Sequence, residues 1–138
     1  SMHASADLIE KSLEAVAERV GDPAPLVYRR LFDGNPDLQA LFLRDHDDSV
    51  KGQMFQQVIE AVLDFVGPRG FADGLFATEW VNHQGLGVPG DQFTRFFDVR
   101  VETFRDVLGA DWTDDFDRAW RTVIDDIGTV IAQRTAPA

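Results

Sequence analysis

The chain has 138 residues, a formal net charge of −11 and no cysteine, with 44% hydrophobic and 27% charged residues. That length fits one domain able to bury about 68% of its unfolded surface, and the composition is that of a folded globular protein rather than a disordered one. The acidic charge argues against nucleic acid and anionic membrane surfaces as partners, and the missing thiols exclude disulfides, thiolate metal sites and cysteine nucleophiles.

Taken in chain order, the apolar residues recur at helical spacing nearly throughout. The opening "SMHASADLIE" lacks the cationic start and apolar stretch of a signal peptide. Ser1 reads as an expression remnant, and residues 1–4 are expected to fray. Leu8, Ile9, Leu13, Val16 and Val20 mark a first helix that stops near Gly21 and Asp22. Pro25 suits the first turn of a second helix with Leu26, Leu31 and Phe32 on its apolar side. Asn35-Pro36 is a cap followed by a first-turn proline, opening the short segment "NPDLQALF".

After the polar connector "LRDHDDS", a wide stripe of Val50, Met54, Phe55, Val58, Ile59, Val62, Leu63 and Phe65 predicts a strong helix ended by Gly67-Pro68. "ADGLFATEWVNH" predicts a short helix, and "GLGVPGD" breaks the chain. Asp91 is expected to cap a long helix carrying Phe93, Phe96, Phe97, Val101, Phe104 and Leu108. Thr113 caps the last, which buries Phe116, Trp120, Val123, Ile124, Ile127 and Ile131; residues 133–138 are expected to fray.

No run is long and apolar enough for a membrane span, and no period-two alternation or Asn-Gly hairpin signals a sheet. The expectation is one all-α domain over 1–138 with about seven helices, in the cytoplasm. No Ser-His-Asp set, phosphate-binding glycine loop or paired metal carboxylates stand in credible context.

His83, in "EWVNHQGLGV", is the one histidine deep in an apolar stretch. Taken alone, it reads more readily as a core histidine satisfied by a neighbour than as a ligand. His3 falls in the fraying terminus, and His46, in "RDHDD", reads as a solvated loop residue.

Three stretches together resemble bacterial globins of the single-domain and flavohaemoglobin branch: "VYRRLFDGNPDLQALF", "HQGLGVPGDQF" and "DDFDRAW" after a Leu-Gly helix end at 108 and 109. The resemblance spans roughly residues 8 to 132 and rests on the order and spacing of the motifs. It implies a globin fold around one haem b pocket, with His83 as the proximal iron ligand. The other ring nitrogen of His83 would donate to the Glu79 carbonyl one turn back. Gly85 and Gly87 would let the backbone leave the helix, and Leu86 and Val88 would contact the porphyrin. Phe42 would pack on the haem face, and Phe93 and Phe97 would lie in the same pocket.

On the distal side the resemblance makes Tyr28, the sole tyrosine, a hydrogen-bond donor to bound dioxygen. In the frame that suits the apolar stripe, Val50 takes the gate position, Met54 lies over the iron and Gln53 sits near the haem edge. A frame shifted by three residues makes Gln53 the gate and puts Gln57 against the porphyrin, a worse apolar fit. Neither frame offers a distal histidine, so a vacant or water-occupied sixth site is expected. Phe93 stands where the branch has a proximal tyrosine, and the stretch from Ile131 to Pro137 holds no acid to match its glutamate, so a peroxidase-like push is not expected.

The function implied is reversible binding of dioxygen and other diatomic gases. Two alternatives stay open: nitric oxide dioxygenation supplied with electrons by a separate reductase, and a globin-like interaction or sensing module without haem.

Overall fold

The computed structural model describes residues 2–137. They form seven α-helices, with no strand among the described residues: α1 Ala6–Val20, α2 Ala24–Gly34, α3 Pro36–Gln39, α4 Ser49–Val66, α5 Ala72–Gly85, α6 Gly90–Leu108 and α7 Asp114–Thr135. Single 3-10 turns, Ala40–Phe42 and Gly109–Asp111, follow α3 and α6.

Helix boundaries follow local chemistry. Gly21 ends α1 at a φ of 69°, in the left-handed region where a side chain is strained, and its N–H donates to the Ala17 carbonyl at 2.8 Å. At the start of α7 the Thr113 hydroxyl accepts from the Phe116 N–H at 3.0 Å, the cap expected there. Two other caps differ from expectation. Asn35 precedes α3 as expected, but its side chain caps nothing. α6 begins at Gly90 after the extended Pro89, so Asp91 lies inside its first turn, where its charge complements the helix dipole.

The connector before α4 is organised rather than loose. The carboxylate of Asp45 accepts from the backbone N–H of Val50 and Lys51 at 3.0 and 3.1 Å and from Lys51 Nζ at 2.9 Å, capping α4 from outside the helix. Asp48, at a φ of 63°, makes the turn. The Lys51 ammonium lies 5.3 Å from the centre of the Phe42 ring, so the connector and the ring are fixed together.

One core lies where α6 packs against α1 and α7. Trp120 meets Phe104 at 5.7 Å, and its indole N–H donates to the Ser12 hydroxyl, which donates in turn to the Ile9 carbonyl. That chain leaves neither buried polar side chain unpaired. Near the N-terminus the His3 N–H donates to the Val66 carbonyl, and its Nε2 lies 2.6 Å from an Asp126 carboxylate oxygen. At the other end α7 stays helical to Thr135; Ser1 lies outside the described residues.

Asp64 closes the corner between α4 and α5 by accepting from the backbone N–H of Gly70, Phe71 and Ala72. Burial pushes its carboxyl upward, but the three donors outweigh that and hold it below the ordinary carboxylate range. This corner sets the angle at which α5 runs past α4, and a cavity opens between the two helices, α2 and the start of α6.

Candidate functional site

The cavity has a volume of about 390 Å³, within the range of about 300–1,000 Å³ common for cofactor sites. Tyr28 from α2, Phe42, Val50 and Met54 from α4, His83 and Leu86 at the end of α5, and Val88, Phe93 and Phe97 all line it. The same residues were expected around one pocket from the sequence. Gln53, expected near the haem edge, is the exception. It is exposed and does not line the cavity; Gln57, one turn on, does. Val50, Met54, Gln57 and Val58 follow the i, i+4, i+7, i+8 line of one helix face, and Gln53 falls on its flank. Val50 therefore stands at the mouth, and the apolar-fit argument against Gln57 fails because a glutamine at the rim keeps its amide near solvent.

His83 is positioned by its own helix. Its Nδ1 lies 2.8 Å from the Glu79 carbonyl oxygen. A carbonyl can only accept, so Nδ1 carries a proton, and in the neutral imidazole the lone pair is then on Nε2. The Val88 N–H donates to the His83 carbonyl at 2.9 Å, folding the corner back under the ring, while Gly87 turns at a φ of 87°. Gly85 stays helical, so the departure rests on Gly87 alone. Phe93 holds the imidazole edge-on at 5.1 Å, and having no polar atom it offers the ring no hydrogen bond. The i, i+4 spacing of Glu79 and His83 also brings a Glu79 carboxylate oxygen to 3.6 Å from Nδ1, an acid on the histidine's own helix rather than in the stretch from Ile131 to Pro137.

α5 and α6 meet where Gly90 sits against the Trp80 indole. A Cβ at Gly90 would lie 2.5 Å from the indole Cη2, so only glycine allows this approach. The packing fixes the start of α6, and with it Phe93 and Phe97.

The wall formed by α2 is aromatic. The Tyr28 ring is held by Phe96 at 5.3 Å, Phe32 at 5.8 Å and Phe42 at 5.9 Å. Tyr28 is only 3% exposed, and its hydroxyl has no hydrogen-bond partner among the described residues. A buried hydroxyl left unpaired is costly, so the position fits a donor reserved for a ligand in the cavity. Burial pushes the phenol up to about 12, partly opposed by the charge of Arg100. Tyr28 is thus a neutral donor at physiological pH.

At the mouth, Leu41, Val50 and Leu86 are exposed, Leu86 by 70%. Apolar side chains gathered around one opening fit the edge of an apolar group seated within. The three histidines separate clearly. His83 lines the cavity, whereas His46 is an exposed connector residue and His3 is tied to α7. Among the described residues no cluster of three or more His, Cys, Asp and Glu is placed to hold a metal ion.

One side chain near this wall was missed from sequence. Arg100, on α6, is 1% exposed and lies with its guanidinium 4.0 Å from the centre of the Phe96 ring. Burial pulls it down to about 9, and Tyr28 partly opposes the shift. It remains a cation at neutral pH.

No helix among the described residues is long and apolar enough to cross a membrane. A family model described as Globin matches residues 26–131, a stretch running from α2 into α7 and including every residue of the cavity wall. The chain belongs to the globin family, whose members in general bind gases through haem.

Proposed function

We propose that the chain holds haem b in this cavity, ligated by His83, and reversibly binds dioxygen and other diatomic gases beside Tyr28. The observation that carries this is the pairing of two groups on one apolar cavity. One is an imidazole with its Nδ1 proton committed and its Nε2 lone pair free; the other is a buried phenol with nothing to bond.

Bound there, haem supplies an iron centre that takes a diatomic ligand. The residues supply the rest. Glu79 holds the His83 tautomer and ring plane through its carbonyl, so the Nε2 lone pair is presented in one direction. Phe42, Met54, Phe96 and Phe97 keep the interior dry, and in a dry site a hydrogen bond from Tyr28 is stronger than in water. Leu86 and Val88 give apolar contact on the side of His83, where each Å² removed from water contributes about 25 cal/mol.

The test is to titrate the purified chain with haemin, reduce it, and follow the Soret band through cycles of oxygenation and deoxygenation. Saturation at one haem per chain with reversible spectral change is expected. A chain that gives no saturable Soret change would leave the haem-free interaction module as the better reading.

A further inference from the structure

Arg100 is not used by the site as described above, and its surroundings are unusual for a cation. Nε, Nη1 and Nη2 are all buried, and none has a hydrogen-bond partner among the described residues. The neighbours of the guanidinium are ring faces: Phe96 at 4.0 Å, Phe55 at 4.9 Å and Phe97 at 5.9 Å. Aromatic faces offset part of a positive charge, but they accept no N–H hydrogen bonds of normal strength. The ionisable group that acts on Arg100 is Tyr28, not a carboxylate. The chain has 24 acidic residues, yet among the described residues no carboxylate pairs with Arg100.

Phe96 joins the two unpartnered groups. The same ring lies 5.3 Å from Tyr28 and 4.0 Å from the guanidinium, and it also lines the cavity. The Tyr28 ring and the Arg100 guanidinium therefore pack against one phenylalanine ring where α2, α4 and α6 meet. Water there would satisfy the donors but not the charge. A single negative charge satisfies both, and a planar oxoanion matches the fork with two parallel bonds.

We infer that Arg100 and Tyr28 form an interior receptor for a small monovalent inorganic anion, entered from the cavity by displacement of the Phe96 ring. The anion accepts from the guanidinium and from the phenol, and its size is limited by the ring cage. No step requires haem, so the site goes beyond the gas-binding reading and does not depend on it.

Sodium nitrate is the probe and sodium gluconate, of equal charge but too large for the cage, the control at equal ionic strength. Calorimetric titration and thermal melting are run on the full chain before haem loading and again in the ferrous carbonyl form, where the iron is closed to anions. Saturable one-to-one nitrate binding, with a rise in Tm that gluconate does not give, is expected in both. Arg100→Met removes the fork at similar volume and is expected to weaken nitrate binding at least tenfold; Tyr28→Phe weakens it by less. A wild-type chain that responds equally to nitrate and gluconate overturns the inference without recourse to any variant. Unchanged nitrate affinity in Arg100→Met overturns it as well. A Soret band without a nitrate response rejects the anion site alone, and the reverse result rejects haem binding alone.

Discussion

Replacing Tyr28 by phenylalanine separates a ligand donor from a structural tyrosine, because the two roles predict opposite signs of stability change. The substitution removes one oxygen and leaves the contacts with Phe32, Phe42 and Phe96 in place. Without ligand, that oxygen has no partner among the described residues, so the unfolding free energy should stay within about 1 kcal/mol of wild type or rise. A tyrosine bonded within the core would instead strand its partner and cost about 1–3 kcal/mol. With dioxygen present the phenol donates to a ligand carrying negative charge, an interaction of about 1.5–3 kcal/mol. Its loss should speed oxygen release by roughly tenfold to just over a hundredfold. Urea melts of the ligand-free chain and stopped-flow displacement of oxygen by carbon monoxide measure the two effects. A destabilised variant with an unaltered off-rate would refute the donor role.

Three further outcomes follow from the scaffold. Gly90→Ala gains up to about 1 kcal/mol of helix propensity but drives Cβ to 2.5 Å from an indole that Phe93 pins edge-on at 5.6 Å. Overpacking of about 1–3 kcal/mol should win, and the penalty should vanish in a Trp80→Leu background. Ser12→Ala strips the acceptor from the buried Trp120 N–H and should cost about 1–3 kcal/mol in denaturant melts. Asp64 is held below the ordinary carboxylate range, against the effect of its burial, by its three backbone donors. Its contribution is therefore complete above the unfolded value of about 3.9 and is lost as pH falls through the folded value. Asp64→Asn should melt earlier than wild type at neutral pH and show a shallower loss of Tm as pH falls below about 4; parallel curves would show that Asp64 does not set the acid limb.

How much of this was legible in the sequence depends on whether a signal is local. The His83–Glu79 bond is a helical i, i+4 relation, and it was expected because the family resemblance gave His83 its role while the helix over "ADGLFATEWVNH" put Glu79 one turn back. The stripe through Phe93, Phe97 and Phe104 likewise fixed which side of α6 faces inward. Arg100 stands on that stripe, three residues after Phe97 and four before Phe104, but a cation there reads as a long stem reaching solvent. That it is sealed in by Phe55, 45 residues away on α4, is a tertiary fact. Asp45 was missed for a related reason: in "LRDHDDS" every acid looks solvated, and only the closed connector shows which one turns back to α4. Two frames for α4, one with Val50 and one with Gln53 at the gate, stayed open because periodicity gives the centre of a helix face better than its edges.

The central claim is the bond from the position 83 imidazole to iron, and His83→Gly tests it most directly. In this variant, loaded with haemin and reduced, the spectrum of a histidine-ligated ferrous haem should be absent. Added imidazole should restore it by filling the space the side chain left. A His83→Gly protein whose ferrous and carbonyl spectra match wild type without imidazole would contradict it.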